Sequence, residues 1–116
     1  MMTIDEAIRE TEVPSVVADG QGMITYVNAR FEAVFGWSKD EIVGKSLTII
    51  IPRTLHDAHH LGFSRFLVTG KPTLLGQALS LRSVTRDGRE FDAEHFIVAE
   101  QRDGQWAFAA TIRPLR

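Results

Sequence analysis

The chain has 116 residues, no cysteine and a formal charge of −2. That length suffices for one compact domain with a real core. The absence of cysteine excludes disulfides, thiolate metal sites, a cysteine nucleophile and a cysteinyl-flavin photoadduct, and the charge gives no pull towards nucleic acid or an anionic membrane.

Residues 3–12 are expected to form a short amphipathic helix. Thr3 is a candidate cap, with Glu6 in capping-box spacing. Ile4, Ala7 and Ile8 share a face, and Pro14 is the expected stop. So short a helix is marginal in water, so it must dock on the domain or on a second subunit. Asp5, Glu6 and Glu10 do not resemble the basic start of a signal peptide. No apolar run approaches the roughly 20 residues of a membrane span. The expected address is the cytoplasm.

Ser15–Ala18 and Met23–Val27 are β-rich runs joined by Asp19-Gly20-Gln21-Gly22, which predicts a hairpin. Asn28 is placed to cap a helix over Ala29–Phe35 with Phe31, Val34 and Phe35 inward and Gly36 as its stop. Ser38 and Glu41 have capping-box spacing for a second short helix ending at Gly44. Leu47–Ile51 is apolar and ends at Pro52. Further on, Leu74–Thr85, Glu90–Glu100 and Gln105–Ile112 read as strands, joined through Arg86-Asp-Gly-Arg89 and Arg102-Asp-Gly104. The order predicts an α+β fold, with short helices packed on one face of an antiparallel sheet. Residues 1–13 form a flanking helix and 14–116 a single domain. There is no internal repeat or low-complexity segment.

The segment from His56 to Pro72 reads as a further helix, with Gly70 at its cap and Pro72 preventing continuation. At about 100° per residue, His59, Phe63, Phe66 and Leu67 share an arc, with His56 and His60 at its edge. An imidazole on an apolar arc either has a hydrogen-bond partner or holds something. His56 and His60, at i and i+4, could chelate a metal, but no third ligand is spaced to complete the site; a solvated helix edge is the simpler reading. Catalysis finds little support: there is no Gly-x-Ser-x-Gly, no phosphate loop and no paired carboxylates with an obvious cleft. Ser64 lies well round the helix from His59, so the two cannot form a triad.

The run Asp19-Gly20-Gln21-Gly22-Met23-Ile24-Thr25-Tyr26-Val27-Asn28-Ala29 is followed by Phe35-Gly36-Trp37-Ser38 and Glu41-Ile42-Val43-Gly44-Lys45. Arg86-Asp-Gly-Arg-Glu-Phe91 and the last strand ending Thr111-Ile-Arg113 come later. In this order the chain resembles the PAS sensory domains. The resemblance implies a PAS fold: a five-stranded antiparallel sheet whose inner face, with the surrounding helices, cups a small cofactor or ligand. A homodimer through the N-terminal helix and outer sheet face, and a signalling effector domain or protein, are the expected partners.

A narrower resemblance lies in His59, Ser64, Arg65, Phe66, Thr69, Gly70 and Pro72. These look like the segment that holds haem in the FixL-type oxygen sensors. The resemblance implies that His59 is the proximal iron ligand and that Arg65 lies near the propionates. Haem also needs an apolar slot, for which Phe63, Phe66, Leu74, Leu79 and Ile97 are candidates. The distal arginine of those sensors falls on Leu79, and one distal aliphatic position falls on His95. FixL-type switching is therefore in question even with haem bound. His95 is either a sixth ligand or donor to a gas, or a structural histidine paired with an acid, Tyr26 or Ser80. Alternation puts Ala93, His95 and Ile97 on one face of their strand. Without haem, the cup would take an apolar small molecule or a fatty acid, or serve as a docking module. A flavin is a further possibility. Trp37 is expected at a helix join. An outer face carrying Phe96, Phe108 or Trp106 would be an exposed docking patch.

Overall fold

The computed structural model describes residues 2–60 and 78–115. The first helix, α1 (Ile4–Arg9), begins as its capping residues dictate. The Thr3 hydroxyl accepts the Glu6 N–H at 3.1 Å, and the Glu6 carboxylate accepts the Thr3 N–H at 2.8 Å. It ends well before Pro14. Glu10 is already extended, and its carboxylate accepts the N–H groups of Glu12 and Val13. These local bonds compete with another helical turn.

A hairpin of β1 (Ser15–Asp19) and β2 (Ile24–Val27) follows, then α2 (Ala29–Phe35) and α3 (Lys39–Ile42). Asn28 caps α2, and Gly36 closes it at φ 80°, a left-handed conformation that glycine adopts without a side-chain penalty. Ser38 and Glu41 form the capping box of α3, whose cap is Val43, one residue before Gly44. The apolar run after it becomes a 3₁₀ turn, Leu47–Ile50, and a second such turn covers Arg53–Leu55. Residues 56–60 are helical. The expected stop at Gly70 and Pro72 lies outside the described residues, as does the expected strand start at Leu74. The described strands are β3 (Ala78–Val84), β4 (Glu90–Arg102) and β5 (Gln105–Pro114). The last two run two residues further than their apolar patterns suggest.

The five strands form one antiparallel sheet in the order β2-β1-β5-β4-β3. One face meets α2 and α3. There Val16, Ala93, Ala110 and Ile112 pack with Phe31, Phe35, Ile42 and Ile50. The opposite face carries Val17, Val98 and Ala109 and receives Ile4 and Ala7 of α1. Of the two expected docking places for α1, its own domain is the one seen. Phe96 packs with this outer cluster. Phe108 is buried and shares its side of β5 with Ala110 and Ile112. Of the expected outer patch, only Phe96 lies on the α1 side; Phe108, and Trp106 by the same alternation, lie on the other face of β5.

Side-chain bonds fix α1 to the sheet. Glu100 accepts the Ile4 N–H at 2.7 Å, Ser15 Oγ donates to the Ala7 carbonyl at 2.8 Å, and Tyr26 donates to the Ile8 carbonyl at 3.1 Å. The Ile4 N–H, and then the bond from Arg102, hold the Glu100 carboxyl below its ordinary range. A carboxyl depressed on folding stabilises above its unfolded value of about 4.3. That contribution is lost as pH falls through the lower folded value. Glu100→Gln should therefore loosen α1 at neutral pH and flatten the acid limb of the stability curve. Amide exchange at Ala7, whose N–H bonds to Thr3 at 3.0 Å, reads the loosening directly. Unchanged protection there would show that Glu100 does not hold the helix.

Candidate functional site

The inner face of the sheet is built in rungs. Leu79, His95 and Ile112 stand opposite one another across β3, β4 and β5. The next rung on this face joins Ile97, Ala110 and Val16. Ala93, which is fully buried in the helix-side core, has the same parity as His95 and Ile97. Leu79, His95 and Ile97 thus belong to the wall that faces α2 and α3, and all three are half-buried.

His95 has two contacts. Its Nδ1 lies 3.3 Å from the Ala93 carbonyl oxygen, and its Nε2 lies 3.3 Å from Ser83 Oγ. A carbonyl can only accept, so Nδ1 carries the proton. Burial pulls the His95 pKa down, against a smaller upward effect from the Ala93 bond, so the ring is neutral at neutral pH. In that tautomer Nε2 is bare and accepts from the Ser83 hydroxyl. The hydroxyls expected from sequence, Tyr26 and Ser80, are on the wrong side. Tyr26 pairs with Val17, and Ser80 pairs with the outer-face residue Glu94. Ser83 was the missed residue. It has the same parity on β3 as Leu79, so alternation alone could have placed it on the inner wall.

A histidine whose folded pKa is depressed stabilises fully above its unfolded value of about 6.5. Between that value and the lower folded one, the unfolded chain binds more protons, so stability falls as pH falls. The urea midpoint should drop from pH 8 to pH 5.5, and His95→Gln should remove its share of the slope. An unaltered slope in the variant would exclude His95 as a source.

His59 is half-buried, and burial first, then the neighbouring His60 and His56, lower its pKa. The His59 and His60 rings are 5.6 Å apart, edge to face. His56 does not pair with His60 as a chelate. Its Nε2 donates to the Ile51 carbonyl at 2.7 Å, while Asp57 and His60 are exposed. Among the described residues no group of three potential ligands is assembled for a metal ion. Phe63, Arg65, Phe66 and Leu74 lie outside the described residues. Trp37 packs at the helix join as expected, with the Arg86 guanidinium 4.8 Å over its ring. The described part of the expected cup comprises the half-buried imidazoles of His59 and His95 and an apolar wall of Leu79, Ile97 and Ile112, residue types of the kind that line and ligate a haem.

A small antiparallel sheet closed on one face by short helices, with the Ser83–His95 pair set in that wall, makes this an α+β domain with a walled inner face. The PAS fold profile matches residues 4–97, and the chain belongs to the PAS family. It is similar to an uncharacterised protein of Azorhizobium caulinodans, 32% identical over 111 residues. It is also similar to the sensor protein FixL of Bradyrhizobium diazoefficiens, 30% identical over 100 residues, and to the oxygen sensor protein DosP of Escherichia coli, 21% over 107. These matches cover 94%, 86% and 92% of this chain but only 15%, 20% and 13% of those proteins. Among solved structures, the PAS domain of a Colwellia psychrerythraea protein matches with a TM-score of 0.75 at 18% identity, covering 97% of this chain and 93% of that one. A light-oxygen-voltage domain studied with a flavin analogue matches with a TM-score of 0.74 at 15% identity, covering 99% and 86%. At these identities the structural likeness shows the fold alone. No helix among the described residues is long and apolar enough to cross a membrane.

Proposed function

We propose that this PAS domain is a signal-input unit that holds haem through His59, and that a diatomic gas or a redox change is its stimulus. The observation that carries the reading is the inner wall, where Leu79, His95 and Ile112 form one rung and Ile97 stands in the next. His59 is half-buried, and burial with the neighbouring His60 and His56 lowers its pKa, which favours the neutral form that binds iron. Support comes from the FixL-like pattern around His59, from the similarity to an oxygen sensor protein, and from the apolar rungs of Leu79, Ile97 and Ile112. Arg65, Phe63, Phe66 and Leu74 complete the proposed set as propionate anchor and apolar lining. A bound haem supplies the iron that a gas or an electron can reach. The protein supplies the nitrogen ligand, excludes water from the cup and conveys the change to an effector domain or partner. Homodimerisation through α1 and the outer sheet face is part of the proposal.

The test is haem titration of the purified protein. Wild type should give a Soret band, and His59→Ala should abolish or shift it. Failure of the well-folded protein to take up haem would end this reading. The second reading is a cup for an apolar small molecule, favoured by the same apolar rungs; native mass spectrometry would then show a co-purifying organic mass.

A further inference from the structure

We infer that the open edge of β3 pairs with the same edge of a second copy of this chain, antiparallel and with Leu81 on the two-fold axis. The two edges of the sheet differ. At β2 the chain closes its own edge: Ile24 donates to the Lys45 carbonyl, and the Ile24 carbonyl accepts the Gly44 N–H, both at 2.8 Å. At β3 the described residues pair on one side only, with β4. A row of unpaired N–H and C=O groups is a template for another strand. Ala78, Ser80, Leu81 and Arg82 are all exposed there, and Leu81 is an exposed large apolar side chain at 39%.

Two hydrogen bonds fix which backbone groups point outward. The Thr85 N–H donates to the Arg89 carbonyl at 2.9 Å, so the Thr85 backbone faces β4. The Asp92 carbonyl accepts the Leu115 N–H at 2.8 Å, so Asp92 faces β5 and its neighbour Ala93 faces β3. Backbone groups alternate along an antiparallel ladder. Leu79, Leu81 and Ser83 therefore bond to β4, while Ser80, Arg82 and Val84 present their N–H and C=O groups to the open edge. A second β3 must set outward-bonding residues opposite one another. Centring the pair on Arg82 would place two guanidiniums face to face, which is destabilising. Centring it on Ser80 would run Val84 past the end of the partner strand. Centring it on Leu81 sets Ser80 opposite Arg82 and Ala78 opposite Val84, each twice. Leu81 then meets its own copy in a non-hydrogen-bonded pair, where side chains approach most closely.

Charge favours the same register. On the outer face Arg82 stands beside Asp92, 3.4 Å away, and Ser80 stands beside Glu94, which binds Arg113 at 3.1 Å. The joined rung reads Asp92, Arg82, then Ser80, Glu94 and Arg113 of the second copy. Its charges alternate in sign, and the small Ser80 leaves the Arg82 side chain room to reach towards the second copy's Glu94. One strand pair around one apolar contact makes a small interface, so the dimer is weak and concentration-dependent.

Sedimentation equilibrium of the intact chain tests this, with urea titration to verify the fold of each variant. Ser80→Pro removes an outward N–H and spares the β3–β4 ladder, because proline is tolerated where the N–H faces away from the sheet. Two bonds across the axis are lost, and the dimer Kd should rise about tenfold to a hundredfold. Leu81→Lys sets like charges on the axis and should leave a monomer. The chain has no cysteine, so Leu81→Cys introduces a single thiol. Its Cα would lie about 4.5 Å from that of its copy, within the reach of a disulfide. Mild oxidation should give a covalent dimer from Leu81→Cys but not from Arg82→Cys, which stands off the axis. A wild type that stays monomeric at the highest concentration it dissolves to would overturn the inference and leave the edge to a strand from another protein. A dimer indifferent to both Ser80→Pro and Leu81→Lys would also overturn it, and would assign association to α1 and the outer face.

Discussion

Phe31→Ala should destabilise the domain by about 3–5 kcal/mol, the range for emptying a fully buried aromatic site. Phe31 has no exposed surface, and its ring stacks on Phe35 at 4.3 Å between centroids. Phe35 in turn meets Phe91 at 5.4 Å. The three rings join α2 to β4, and such pairs add to what burial alone contributes. Neighbours held by helix and sheet can collapse only partly into the space left behind. Domains of this size are stable by about 5–15 kcal/mol in all, so the loss is a large fraction of the total. Urea unfolding measures it. Phe31→Leu, which restores most of the volume, should recover most of the stability. Equal losses for the two variants would mean that the ring stack, not the volume, is what the site requires.

The second large effect is expected at Asn28. Its side-chain oxygen accepts the N–H groups of Ser15 at 3.0 Å and Phe31 at 2.8 Å. Its amide donates to the carbonyls of Glu10 and Val13, both at 2.9 Å. One nearly buried side chain therefore ties the α1 exit, the start of β1 and the start of α2 together. Asn28→Ala removes the helix cap, which is worth about 0.5–2 kcal/mol. It also leaves the Ser15 N–H, a buried donor, without that partner, at about 1–3 kcal/mol. The expected sum is roughly 1.5–5 kcal/mol. Asn28→Asp separates the roles. A carboxylate keeps both accepted bonds but faces two carbonyl oxygens that it cannot donate to. Aspartate should hold α2 while loosening α1, seen as faster amide exchange at Ala7 with protection in α2 retained. If aspartate restored full stability, the cap alone would matter.

How much was legible beforehand follows from which interactions are local. The caps at Thr3, Asn28 and Ser38 act over three residues, so their partners sit in the same stretch of sequence. The turns at Asp-Gly and the period-two strands are likewise local signals. Asn28 was readable as a cap but not as a clamp, because the carbonyls it grips belong to the irregular link before β1. Glu10 ends α1 with a side-chain to backbone bond that no apolar pattern announces. At the candidate site, alternation put Ala93, His95 and Ile97 on one face, and the structure adds which face that is. Neither Tyr26 nor Ser80 can be the partner of His95, because both stand on the outer face, opposite Val17 and Glu94. Ser83, four residues on from Leu79 along β3, meets the ring through the lean of the imidazole back along its own strand, and that lean has no sequence signature.

The two faces of β4 are used in opposite ways. Glu100 secures α1 on one side, while His95 faces the interior on the other. Because side chains alternate strictly, shifting this strand by a single position would exchange the two environments. Carboxylates would enter the hydrocarbon interior and the imidazole would be turned out to water. Length variation in this strand is consequently far less tolerable than point substitution. Evolutionary insertions and laboratory deletions alike should be absorbed at the Asp103-Gly104 tip, where the chain already reverses in left-handed conformations.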